Sequence, residues 1–191
     1  MGLVLTTAPA VEPVTVDDAK THLRITHTSE DVLIASLVLT SRLHVEAALS
    51  LALITQTWTL LLDRWPIGDT VDLLLGPLQA IGAVRVKDRA GTATVVPATN
   101  YLVDIAARPA RLVWNGGGRP DPGLVANGIE IDLTVGFGAT AASVPAPLKH
   151  AILMLTAHWY EHRDPVEIGS DAARIPQAVS DLIQPFRKFR L

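Results

Sequence analysis

The chain has no cysteine. That excludes disulfide staples and thiolate-held metal centres, and it fits a reducing compartment. Charge is sparse as well: Asp, Glu, Lys and Arg make up 18% of the 191 residues, with a net charge of −3. That sign disfavours a basic protein that wraps nucleic acid and leaves room for local basic patches. The opening residues, MGLVLTTAPAVEP, have neither the charged start nor the long apolar run of a secretory leader, so none is expected. No repeat or low-complexity tract interrupts the chain. Residues 32–54 are rich in leucine, but Arg42, His44 and Glu46 fall among them. A membrane span rarely holds such groups at mid-bilayer, so no membrane contact is expected.

What is present is apolar. Hydrophobic residues make up 49% of the chain, and mean hydropathy is +0.32. This suffices for the core of a single domain over residues 1–191. With so few charges, part of the apolar surface is expected to be covered by neighbouring molecules.

Thr15-Val16-Asp17-Asp18 has the form of a capping box, and the acidic pair suits the positive end of a helix. A short helix is predicted over residues 16–25. Thr28-Ser29-Glu30-Asp31 repeats the signal and predicts a second helix running to about residue 53. Leu33, Leu37, Val38, Leu43, Val45, Leu49 and Leu53 point to several sides of that helix, which implies burial on more than one face. From Thr55 the period changes to two. Strands are predicted around Thr57–Leu60, Val71–Leu75, Val84–Lys87, Thr92–Val96, Tyr101–Ile105, Arg111–Trp114 and Ile129–Val135. Gly and Pro punctuate them, and no helical pattern separates them, so an antiparallel sheet is expected. Helical spacing returns at Leu148, Ala151, Ile152, Leu155 and Trp159, after Pro145 and Pro147. His162-Arg163-Asp164-Pro165 should end that helix. A last helix opens at Pro176, uses Val179, Leu182, Ile183 and Phe186 as its face, and should stop near Pro185. The fold class is therefore α+β. N- and C-terminal helices, residues 14–54 and 144–191, form a four-helix-type bundle, and an antiparallel β-rich insertion, residues 55–142, projects from it.

Few residues offer chemistry. His158 and His162 stand four apart on one helix beside Glu161, a spacing that can chelate a metal. The zinc-protease pattern needs Glu directly after the first His, where this chain has Trp159, and no third ligand is marked. Two imidazoles near the negative end of a helix are the simpler reading. Gly116-Gly117-Gly118 lacks the Lys-Ser/Thr and the helix that a phosphate-binding loop requires, and reads as a loop tip. No serine lies in a nucleophile elbow. No catalytic residue, cofactor or metal is assigned. The alternatives are a small metal-dependent hydrolase centred on the histidine pair, or a DNA-binding packaging accessory. Arg85, Lys87 and Arg89 form a basic cluster without an assigned role. The segment Pro185-Phe186-Arg187-Lys188-Phe189-Arg190-Leu191 stands out, because aromatics and arginines are favoured interface anchors. It reads as a docking tip, with a frayed basic tail that binds nothing and direct DNA contact as the alternatives.

Three segments resemble the head–tail connector, or adaptor, proteins of long-tailed phages and phage-like gene transfer particles. The first is Val14-Thr15-Val16-Asp17-Asp18-Ala19-Lys20 with Leu23 and the Glu30-Asp31 helix start. The second is Gly136-Phe137-Gly138, then Val144-Pro145 and LKHAILMLTAHWYEHRDPV. The third is Ile175-Pro176 with Leu182-Ile183-Gln184-Pro185-Phe186-Arg187. Together they frame nearly the whole chain, while the β-rich centre is similar to the longer-insertion branch of the family. Phe186 departs from the tyrosine expected there but keeps the aromatic character. The resemblance implies a non-enzymatic virion part, assembled in the host cytoplasm and placed at the head–tail interface. It implies a homo-oligomeric ring, expected to be a dodecamer, beneath a portal protein. Residues Pro185 to Leu191 would dock into the portal. A tail-side stopper protein would bind the far side, and DNA would pass through the lumen without specific binding. Leu37, Leu43 and Leu49 on the second helix are the expected inter-subunit contacts, in keeping with the heterologous interfaces that close a ring.

Overall fold

A computed structural model describes residues 1–116, 119–162 and 175–187 of the chain. Its elements run β1 (Gly2–Thr7), α1 (Val16–Leu23), α2 (Asp31–Leu49), β2 (Gln56–Leu62), β3 (Thr70–Leu73), β4 (Leu78–Lys87), β5 (Ala93–Val95), β6 (Tyr101–Asp104), β7 (Ala110–Trp114), β8 (Ile129–Val135), α3 (Ala146–Glu161) and α4 (Gln177–Ile183). The class is α+β, with antiparallel sheets as expected. Two compact units emerge: Met1–Ala10 with Thr55–Phe137, and Val11–Ile54 with Gly138–Leu191.

In the helical unit, α1, α2 and α3 pack on one another and α4 packs on α3. The capping box at Thr15 forms: Thr15 Oγ1 accepts from the Asp18 N–H and Asp18 Oδ2 accepts from the Thr15 N–H, both at 3.0 Å. These bonds satisfy donors at the helix start that would otherwise lack partners. The Thr15 hydroxyl, followed by its backbone N–H, holds the Asp18 carboxyl below the usual carboxylate range. The second box does not form. Glu30 occupies the N-cap of α2 without a side-chain cap bond. The Ser29 hydroxyl pairs with His27 Nδ1 at 2.8 Å instead, and Asp31 takes Lys20 Nζ of α1 at 2.8 Å. Helix α2 also ends earlier than its hydrophobic pattern predicts. Ser50 turns left-handed, with φ of 52°, and closes the helix through backbone bonds to Glu46 and Ala47. Leu51 to Ile54 then continue the apolar run as buried non-helical chain.

Arg42 is buried on the inner side of α2. Its Nε meets Glu12 Oε2 and its Nη1 meets Glu46 Oε2, each at 2.7 Å. Glu46 Oε1 also accepts the Leu53 N–H at 2.8 Å. Charge-assisted bonds of this kind pin the segments before and after α2 to its flank. Ser41 and Thr156 share a buried hydroxyl bond of 3.0 Å between α2 and α3. Leu148, Ala151, Ile152 and Leu155 are buried as their spacing predicts, and Trp159 meets the ring of His44 edge-on. Helix α4 gives way to a 3₁₀ turn over Gln184–Phe186, where Pro185 breaks the α-helical ladder.

In the β unit, five strands are ordered β1-β2-β8-β4-β5 and three are ordered β3-β7-β6. β8 is the spine of the larger sheet. Ile129, Ile131, Leu133 and Val135 are buried, and Leu60, Leu62, Val84 and Val86 lie beside them in register. The opposite face is polar. In the smaller sheet Val71 faces Leu112, and Trp114 makes edge contacts with Trp65 and Tyr101. Gly123 crosses so close to the backbone of Asp88 and Arg89 that a Cβ there would collide. Residues 2–7 carry no predicted element, yet they pair with β2 as edge strand β1.

Candidate assembly surfaces

Helix α2 presents apolar side chains on two faces of opposite fate. Ile34, Val38, Val45 and Leu49 face the core of the helical unit. On the other side Val32 is 86% exposed, Leu39 41% and Leu43 51%. Positions 32, 36, 39, 43 and 47 recur at helical spacing, so Ser36 and Ala47 complete one stripe. That stripe carries no charge: Arg42 is buried on the inner side, and Glu46 is mostly covered. Composition and length alone would let α2 cross a membrane. Its buried Arg42 network instead fits a helix whose inner face belongs to a folded protein. The three leucines expected at an inter-subunit contact separate accordingly. Leu43 points outward and Leu37 is half-buried. Leu49 is a correction: it is 3% exposed, because the end of α2 turns its side chain into the core. Val32 and Leu39 take its place on the outward stripe, a selection that needs the burial of the opposite face to be known.

Of the C-terminal segment expected to dock, Pro185 and Arg187 are exposed and Phe186 is half-buried. Lys188, Phe189, Arg190 and Leu191 lie outside the described residues, as do Gly117, Gly118, Arg163, Asp164 and Pro165.

The basic cluster on β4 is largely neutralised. Arg85 meets Glu130 at 3.1 Å and Asp132 at 2.7 Å, and Lys87 meets Glu130 at 2.6 Å. Thr59 donates to Asp132 at 3.0 Å and its hydroxyl pairs with Thr6 at 3.1 Å, so a polar line crosses four strands. Hydrogen bonds from Lys87 and then Arg85 hold the Glu130 carboxyl below its usual range, while Asp132 and Glu130 raise Arg85. These cations are committed to their own sheet, which leaves Arg89 as the exposed member.

The histidine pair is close, with ring centroids 4.6 Å apart. His162 Nδ1 donates to the carbonyl of His158 at 2.8 Å. Among the described residues no group of three or more His, Asp or Glu is placed to hold a metal ion.

No protein-family model matches the chain, and no curated protein matches it. Solved structures do. One similar chain is in the neck of an empty GTA particle computed with C6 symmetry, at 29% identity and a TM-score of 0.84. A second is in the virion of a native gene transfer agent (GTA) particle, at 28% and 0.83. A third is in the neck of a native GTA particle computed with C12 symmetry, at 30% and 0.82. Each similarity covers all of this chain and 97% of the other.

Proposed function

We propose, for a chain that belongs with the structural components of gene transfer agent necks, that it is a head–tail adaptor forming a ring around the DNA channel. One observation carries the reading: full-length similarity to a chain in a neck computed with twelvefold symmetry. A ring of that order needs heterologous contacts, in which one surface of each copy meets a different surface of the next. The uncharged outward stripe of α2 supplies one such surface. Burying Val32, Leu39 and Leu43 together contributes about 1.5–3 kcal/mol per fully covered side chain before the cost of association. Many modest contacts multiplied around a closed ring then hold the assembly. Such a part works by shape and attachment and performs no reaction. Net negative charge, and the internal pairing of Arg85 and Lys87, suit a conduit that lets duplex pass, since duplex affinity comes mainly from neutralising phosphates.

Residues Pro185 to Leu191 are the segment that docks into the portal, and a stopper protein meets the tail-side surface. Removing residues 186–191 leaves a folded protein that no longer joins portal-bearing heads to tails. Normal particles from the truncated chain would refute that attachment. For the ring, the double substitution Leu39→Glu with Leu43→Glu is the sharper test. Both side chains are exposed, so the protomer keeps its fold by circular dichroism while losing its place in particles. Unchanged incorporation would refute α2 as the contact.

A further inference from the structure

The ring reading leaves the β unit without a role, and its larger sheet has two open ends. We infer that β1 of one copy adds to the outer edge of β5 in the next, joining the sheets of neighbouring copies through a parallel seam. The inference rests on the ring reading above. Strand β1 ends the sheet on one side and β5 ends it on the other.

All six residues of β1 are exposed. Leu3, Val4 and Leu5 are consecutive and 38%, 51% and 44% exposed, so aliphatic side chains stand on both faces of a strand the protomer leaves partly open on each. Natural edge strands are usually guarded by charge or proline. Gly2-Leu3-Val4-Leu5-Thr6-Thr7 has no such guard, and neither does Ala93-Thr94-Val95 of β5. Beside β5 lies an open cleft of about 380 Å³, where the aliphatic Val86, Val95, Val96 and Pro97 lie alongside Lys87, Asp88 and Asp121. It offers room for aliphatic side chains from an added strand. The competing edges are charged: β3 carries Asp72, and β6 ends in Asp104, paired with Arg111 at 3.0 Å.

Strand direction sets the geometry of the seam. Four successive antiparallel pairings leave β1 and β5 pointing the same way. A twelvefold axis turns each copy by about 30° relative to the last, too little to reverse a strand. The incoming β1 therefore runs parallel to β5. Backbone hydrogen bonds give the junction its strength, and the side chains of Leu3, Val4 and Leu5 give it register.

Introduced cysteines test this in a chain that has none. Within one copy β1 and β5 lie four strand spacings apart, about 19 Å. That is far beyond the reach of a disulfide. Any bond between Val4→Cys and Thr94→Cys therefore joins two copies. All the positions used are exposed, and Leu5→Cys with Thr94→Cys is a second pair one residue out of step. In oxidised particles one of these pairs should give a ladder of covalent multimers on a non-reducing gel, while each single variant gives no ladder. Particles with a normal content of both double variants and a ladder from neither would refute the seam and leave the ring reading standing. A ladder from Val4→Cys with Leu102→Cys would place β1 on β6 and overturn the pairing. Dimers from Val4→Cys alone would show β1 meeting its own copy about a twofold axis, which also overturns it. Absence of the unsubstituted chain from purified particles would refute the ring reading itself.

Discussion

Strands β8 and β1 share one sheet, separated only by β2, and bury their side chains in opposite measure. Every second residue of β8 is buried, whereas β1 is exposed along its whole length. Both are rich in aliphatics. Strand propensity is largely a matter of what a side chain packs against, so the aliphatics of β1 gain little from their own protomer. The same contrast runs around α2, where Ile34 and Val45 are covered and Val32 and Leu43 are not. Apolar residues the protomer covers determine its stability. Those it leaves uncovered are available for assembly.

Stability measurements can break that division. Ile131→Ala on the central strand should lower unfolding stability by about 2–5 kcal/mol, since it opens a cavity in a packed face. Leu5→Ser on the edge strand should change it by no more than about 0.5 kcal/mol. Urea unfolding of both variants makes the comparison, and a loss at Leu5 rivalling that at Ile131 would end it. Around α2, Arg42→Ala should cost about 3 kcal/mol, because Glu46 is left mostly buried without its cation. Thr156→Val should cost about 1–2 kcal/mol by leaving the buried Ser41 hydroxyl unpaired. Outward Leu39→Ala, by contrast, should leave the urea midpoint almost unmoved.

The smallest effect sharpens the picture of the polar face of the sheet. Glu130 is held below its usual range by Lys87 and Arg85. A depressed carboxyl contributes stability above its unfolded-state pKa and loses it as pH falls through the folded-state value. Glu130→Gln should therefore cost about 0.5–1 kcal/mol at pH 7, discounted for partial exposure, and less at pH 3. Unfolding at the two pH values checks the sign. An equal cost at both would mean that packing, not charge, makes the contribution.

Much of this fold is legible in the sequence where one chain satisfies its own pattern. Ile129 to Val135 alternates without a flaw and forms β8 over those very residues. Thr15 and Asp18 make the local bonds their spacing implies. The misreadings arise where local pattern and tertiary context part. Leu51 to Ile54 are apolar enough to prolong α2, but the left-handed turn at Ser50 ends it first. Thr28 and Ser29 look like a cap, but His27 takes the serine hydroxyl. Residues 2–7 do not alternate, and both faces of β1 are left partly open within the protomer. Leu49 and Leu43 cannot be told apart by composition, since their difference lies in what stands opposite each of them. The proposed docking role of residues 185–191 rests on the aromatic and basic chemistry of Phe186 and Arg187, and residues 188–191 lie outside those described.

The proposed role requires many copies of this chain in the neck of one particle. Quantitative mass spectrometry of purified particles, with portal peptides as the internal standard, tests it most directly. About twelve copies per particle are expected, by analogy with the similar neck computed with C12 symmetry. Particles that join heads to tails normally yet contain none of this chain, or only one copy, would contradict it.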